Sequence, residues 1–430
     1  MYITGWTVLL ALGAAVPATL LQSRDVAWLW VLGVLALAAI DAALAPPTRS
    51  LGLKRNVPGS VRLSESTSTV LHVANVSRRA VRGAVRDAWD PSAGPGEHRF
   101  SIKLGPGKVA SFTTDLTPQR RGVRNAAPVT VRTTGPLRLG GRQRSLEVPA
   151  QLKVLPEFAS RKHLPSRLAR LRELDGVSPV VLRGQGSEFD SLREYVIGDD
   201  VRTIDWRATG RRADVIVRTY RPERDRRIFV VVDTSRLSAV RVGEGPALEA
   251  SIEAALLLSA LASRAGDRVQ VVAFDRSERA RAVGSSSPSL MPRLAQELAS
   301  IQPSLVEPDW AALARLVDER LSQRALVVLL TTVDPSLIDS GAVTMIRHLQ
   351  AKHQVLVASV DDPEVAAMTR TRGSVEAVYE ASAAARTMLE KAAVASRLRQ
   401  FGAEVIEAAP YDLAPKVADT YLALKASGRL

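Results

Sequence analysis

The 430-residue chain has no cysteine. That excludes disulfides, thiolate metal sites and cysteine nucleophiles, and it fits a reducing compartment. Histidine is scarce too: the five present are scattered at positions 72, 98, 163, 348 and 353, and no H-E-x-x-H pair occurs. The phosphate loop G-x-x-x-x-G-K-[ST] and the nucleophile elbow G-x-S-x-G are also missing. Lysine supplies only nine of the 58 basic residues, so the net charge of +14 is an arginine charge. A basic chain invites an anionic partner, either nucleic acid or a membrane surface, and the placement of the charge decides between them.

What is present begins with two apolar runs, TGWTVLLALGAAVPATLL at 4–21 and VAWLWVLGVLALAAIDAALA at 26–45, separated only by Gln22-Ser23-Arg24-Asp25. Each is about as long as the 20 apolar residues a bilayer core requires. A cleaved signal peptide would be followed by a polar mature start, whereas here a second run follows directly. The expectation is a transmembrane hairpin over 1–48, with Trp6, Trp28 and Trp30 near the span ends. Arg24 and Asp25 offset each other, while Arg49, Lys54, Arg55 and Arg62 follow the second run. The positive-inside bias therefore puts both termini and the soluble parts in the cytoplasm, against the lipid of the plasma (inner) membrane.

Residues 49–155 show short β segments between turn signals: TVLHVANVS, HRFSIKL and VASFTTDL joined by Gly105-Pro106-Gly107-Lys108, APVTVRTT, and SLEVPAQLKVL. Their alternation suits a β-sandwich-like middle domain. Residues 156–227 form a basic linker and a charged block. In the linker, LPSRLARLREL carries leucines at 164, 168, 171 and 174 along a helical stripe. A nucleic-acid role for its arginines lacks interleaved aromatics, so a helix docked on a neighbour is the expected reading and nucleic acid the less favoured partner. From 228 to 430 apolar β-branched strands (228–233, 268–274, 325–331, 354–360, 403–409) alternate with amphipathic helices. That pattern indicates a doubly wound α/β sheet with ligands at the carboxyl ends of its strands.

The first of those strands runs into Asp233-Thr234-Ser235-Arg236-Leu237-Ser238, which resembles the D-x-S-x-S ion loop of von Willebrand factor A domains. Asp233 and Ser235 are the candidate ligands for a magnesium-type ion, which takes hard oxygen donors. Leu237 stands at the second serine position, and Leu330-Thr331-Thr332 stands where a Thr-Asp pair is expected. Ser238 or Asp334 would compensate only if a loop were displaced.

The block 188–227 holds ten arginines and nine acids, so its charges are expected to serve each other, arginine pairing bidentately with carboxylate. Arg193, Asp199, Arg202, Asp205 and Arg207 are the expected network, with Tyr195 and Trp206 as apolar anchors. A hydrolase using these acids on envelope material is the alternative, and it requires carboxylates converging without arginine partners. The order G-x-G-x-E-F-x-x-L-R-E-Y-x-x-G-D-D-x-R-x-I-D-W, followed by V-R-x-Y and E-R, resembles the bacterial family called domain of unknown function fifty-eight. The matching positions include Gly184, Gly186, Glu188, Phe189, Arg193, Glu194, Tyr195, Gly198, Asp199, Asp200, Arg202, Asp205, Trp206, Arg207, Arg218, Tyr220, Glu223 and Arg224. The resemblance extends to Arg120-Arg121-Gly122 and Gly135-Pro136-Leu137. It implies a membrane-anchored adaptor or assembly factor with a factor A-like carboxyl domain. The partners it implies are a MoxR-type AAA+ ATPase and other membrane proteins with factor A domains.

Overall fold

A computed structural model describes residues 1–177, 188–196, 199–211, 214–221, 226–243, 245–285 and 289–430. The chain divides into two compact units, Met1–Glu157 and Phe158–Leu430.

In the first unit the second apolar run forms one helix, Arg24–Leu44, of 21 residues. At about 1.5 Å per residue it is about 31 Å long, the thickness of a hydrocarbon core. The first run instead makes two short helices, Gly5–Leu12 and Ala15–Leu20. Pro17 has no N–H and is tolerated only in a first helical turn, so the chain breaks at Gly13-Ala14 and restarts with the proline in the first turn of the second piece. One helix among the described residues, rather than two, is therefore long and apolar enough to cross a membrane. Only 22% of its apolar window is buried, and Leu29, Leu32, Leu37 and Ile40 face outward. A core helix of a soluble protein would be covered.

The rest of this unit is β. One sheet runs, in spatial order, through Tyr2–Ile3, Gly140–Leu146, Val129–Thr134, Val81–Arg86 and Arg99–Leu104; a second through Leu51–Asn56, Thr67–Asn75 and Val109–Leu116. All neighbours in these two sheets are antiparallel. Burial alternates along Thr67–Asn75, and Leu71 and Val73 meet Val81, Val85, Val129 and Val131 in one core. A third, small sheet joins Ser60–Arg62, Gln151–Leu155 and Gly122–Asn125. The turn at 105–108 carries the chain from the first sheet to the second, because Arg99–Leu104 pairs with Val81–Arg86 and Val109–Leu116 pairs with Thr67–Asn75. Arg55 is not a solvent-facing flank charge: it is buried and paired with buried Asp87 at 2.5 Å, stacked over Trp89. Asp87 also accepts the Thr114 hydroxyl at 3.1 Å.

The second unit contains a six-stranded sheet: β1 (Arg227–Asp233), β2 (Arg268–Phe274), β3 (Glu278–Ser285), β4 (Leu326–Leu330), β5 (Gln354–Val360) and β6 (Glu404–Ala408). The spatial order is β3-β2-β1-β4-β5-β6, parallel throughout except for β3. Helices Ala247–Arg264, Leu290–Ala299 and Pro410–Ala426 cover one face. Trp310–Arg320, Ala342–Gln350 and the end of Val375–Gln400 cover the other. The sheet is thus doubly wound, with its direction of winding reversing between β1 and β4. β3 was not foreseen, because ERARAVGS reads as charged; its arginines suit an edge strand, which charge protects from further pairing. The helix Leu164–Val177 packs its leucine stripe, with Leu171 buried, on the first face, and Arg167 pairs with Asp419 at 2.7 Å.

Candidate functional site

The reversal of winding places the carboxyl ends of β1 and β4 side by side, where ligands of open α/β sheets usually bind. β1 ends on Asp233, which is 2% exposed. Its Oδ1 accepts the Ser235 N–H at 2.8 Å and its Oδ2 the Thr331 hydroxyl at 2.5 Å. Burial pushes this carboxyl above the ordinary range, against the pull of those two partners. At the end of the neighbouring β2, Asp275 accepts the Arg276 N–H at 2.6 Å, Arg279 at 2.6 Å and the Ser304 hydroxyl at 2.8 Å. Burial would raise Asp275 as well, but these donors outweigh it and hold the group below its usual value. Two carboxyls moved in opposite directions is what an acid–base couple needs. Here, however, protein donors occupy both, and Asp233 does not reach the surface.

The donor set offers a divalent ion few ligands: each Asp233 oxygen already accepts one protein donor, whereas a magnesium-type ion asks for near-octahedral oxygen ligation. Leu237 lies buried in the apolar cluster beneath. Ser238 spends its hydroxyl on the Ser235 carbonyl at 2.8 Å, Thr332 on the Leu237 carbonyl at 2.9 Å, and Asp334 accepts the Ser336 N–H at 2.9 Å. Among the described residues neither Ser238 nor Asp334 is hydrogen-bonded to Asp233. Among the described residues no cluster of three or more histidine or acidic side chains forms a metal-type group.

The charged block forms an antiparallel pair, Glu188–Glu194 with Ile216–Arg221, with a bulge between Phe189 and Ser191. Phe189 stands opposite Tyr220, and Glu188 opposite Arg221. The connecting loop is built from aspartates. Asp199 pairs with Arg193 at 2.7 Å and accepts the Val196 N–H at 2.9 Å. Asp200 accepts the Arg202 N–H at 2.9 Å. Asp205 caps the short helix Trp206–Thr209, taking the Arg207 and Ala208 N–H groups at 3.0 Å, and pairs with Arg218 at 2.8 Å. The Ala208 N–H first, and then Arg218, hold Asp205 below the usual carboxylate range.

Two expectations change. Arg202 and Arg207 do not join the network: their side chains are exposed and have no ion pair among the described residues, and Arg218 takes the place foreseen for them. Trp206 is not an anchor, since it is 72% exposed, with Val201 and Val196 exposed in the same loop; Tyr195 is half-buried and Glu194 exposed. Gly184, Gly186, Gly198, Glu223 and Arg224 lie outside the described residues. Asp275 and Ser304 were missed, although Asp275 follows an expected strand just as Asp233 closes one.

Over residues 191–406, half of the chain, the sequence matches the family described as Protein of unknown function DUF58. The chain belongs to this family. The DUF58 match opens within the strand Glu188–Glu194, just before the aspartate-rich loop, and closes in β6. Among functionally curated proteins nothing matches. Solved structures resemble about a quarter of the chain. The CARDB domain of a Pyrococcus furiosus protein is 16% identical, over 26% of this chain and 91% of that one, with a TM-score of 0.19. A Salmonella alpha-2-macroglobulin is 14% identical, over 24% and 7%, at 0.19. A FixG-related protein from Vibrio parahaemolyticus is 14% identical, over 24% and 96%, at 0.17.

Proposed function

We propose that this DUF58 protein is a membrane-anchored adaptor that docks a protein partner on the loop around Trp206. The observation that carries the reading is the exposure of that tryptophan beside Arg202 and Arg207, on a loop whose Asp199, Asp200 and Asp205 are consumed in caps and ion pairs. Tryptophan and arginine are the residues enriched where binding energy concentrates, and a loop fixed by its own hydrogen bonds loses little freedom on binding. Asp199, Asp200 and Asp205 each serve a cap or an arginine, which favours docking over the hydrolytic alternative.

The partner we propose is a MoxR-type AAA+ ATPase, on the family resemblance of the signature residues. The anchor we propose is a hairpin whose full span is Arg24–Leu44, with the broken first run crossing as its second arm and the soluble units in the cytoplasm; the outward apolar face of Arg24–Leu44 supports the span, and exposed Arg49 and Lys54 just beyond it support the orientation. The doubly wound sheet, with its single antiparallel edge strand and β1 ending in Asp-x-Ser, supports a factor A-like domain that works without an ion. Co-purification from detergent-solubilised membranes tests the adaptor role. Wild type should retain the ATPase, and Trp206→Ala and Arg202→Ala should lose it while keeping the same melting temperature. No retained ATPase with wild type removes the proposal.

A further inference from the structure

The turn between strands Val129–Thr134 and Gly140–Leu146 is bolted to the end of the apolar helix. Asp41 is fully buried; its Oδ1 accepts the Leu137 N–H at 2.8 Å, and its Oδ2 accepts those of Leu139 at 2.8 Å and Gly140 at 2.9 Å. Arg142 donates to the carbonyls of Ala42 at 3.2 Å and Ala43 at 2.7 Å, which at a helix carboxyl end have no partner within the helix. The chain start grips the same turn: the Thr4 N–H donates to the Leu139 carbonyl at 3.0 Å and the Thr4 hydroxyl to that of Arg138 at 2.7 Å. Thr7 also bonds Leu139, and Tyr2–Ile3 pairs with Gly140 and Gly141. Nothing larger than glycine fits: a Cβ on Gly135 would stand 2.3 Å from the Asp41 carbonyl oxygen, and one on Gly140 2.3 Å from that of Ala38.

This attachment fixes depth. Asp41 lies three residues inside Leu44, about 4.5 Å before the helix ends. If the helix spans the core, the turn bonded to Asp41 lies at the boundary between acyl chains and headgroups. An acid in a span is costly and needs partners; here the turn's amides are those partners. Leu137 is 59% exposed, as is Trp6 at 63%, in the helical turn that follows Thr4. Arg138, held at a φ of +60°, is exposed and has no side-chain partner among the described residues. An apolar tip, an interfacial tryptophan and a neighbouring free arginine are the groups that suit the headgroup layer.

We propose that residues 135–139 form a wedge seated in the headgroup layer of the bilayer, with Leu137 at the acyl boundary and Arg138 among the lipid phosphates. This rests on the helix being a span. The absence of cysteine allows single nitroxide labels at Leu137→Cys, Leu35→Cys within the helix, and Glu65→Cys, beyond the far end of the strand whose near end pairs with Leu51. In full-length protein reconstituted into phosphatidylcholine–phosphatidylglycerol vesicles, accessibility to a water-soluble nickel complex should be lowest at 35. At 137 it should be several-fold below that at 65, and Arg138→Glu should raise it. A label at 137 as accessible as that at 65, with 35 protected, overturns the wedge and leaves the span. An accessible label at 35 overturns both. No change on Arg138→Glu overturns the phosphate contact.

Discussion

Replacing Asp41 with alanine should loosen the turn it holds without unfolding the sandwich. The substitution removes the acceptor of three backbone N–H groups, of which those of Leu139 and Gly140 are buried and that of Leu137 is half-buried. A buried donor left without a partner costs about 1–3 kcal/mol, so the two buried groups together lose about 2–6 kcal/mol. At about 1.4 kcal/mol per factor of ten, even the lower bound speeds local opening roughly 30-fold. Hydrogen exchange followed by mass spectrometry, on protein in lipid nanodiscs, reads this directly. Peptides covering 137–142 should exchange at least tenfold faster in Asp41→Ala, with Thr67–Asn75 unchanged. Asp41→Asn, which keeps one acceptor oxygen, should fall between. Unchanged exchange at 137–142 in the alanine variant would refute the reasoning that this carboxylate fastens sandwich to helix.

Removing one member of the buried Arg55–Asp87 pair leaves an uncompensated charge, so Asp87→Ala should destabilise the amino-terminal unit by about 3–5 kcal/mol, read as a lower urea midpoint by circular dichroism. Asp233 has a raised folded pKa, so its contribution to stability is fullest below about pH 3.9, its unfolded value, and is lost as pH rises through the folded one. At pH 7 Asp233→Asn should therefore melt no lower than wild type, and magnesium should shift neither; a magnesium shift in wild type alone would establish an ion site. His353 is buried with neither ring nitrogen partnered among the described residues, and burial lowers its pKa against the attraction of Asp318, with Lys352 and His348 adding to the lowering. The folded protein thus refuses a proton that the unfolded chain accepts below about pH 6.5, and stability should fall as pH drops from there. His353→Leu should flatten the decline between pH 7 and 5 in scanning calorimetry.

The doubly wound sheet was legible because β1, β2, β4 and β5 are apolar runs of Val, Ile, Leu, Phe and Ala, largely buried on both faces, and helices lie between the parallel strands. β3 was not, since an edge strand need bury only one face and ERARAVGS hides that face among arginines. The sandwich was legible as alternation, but alternation says nothing about which sheet a strand joins, so the crossing at 105–108 needed the fold. In the signature loop, spacing identified the family and mutual pairing of its charges was foreseeable. Which arginine each aspartate takes was not: Asp205 reaches across the hairpin to Arg218 because strand pairing, not sequence distance, sets its neighbours. Trp206 was misjudged for the same reason, as large aromatics are usually buried, whereas capping by Asp205 starts the helix on an outward-facing residue. Asp41 carried a signal that went unused, being one acid within an otherwise apolar run.

The adaptor role rests on what touches Trp206 in the cell, and a photocrosslinking amino acid placed at that position reports it. In intact cells expressing the full-length protein, irradiation should give one dominant adduct containing a MoxR-type ATPase, lost when Arg202→Ala is combined with the probe. Adducts with no ATPase, or an ATPase adduct indifferent to Arg202→Ala, would contradict the proposed docking surface.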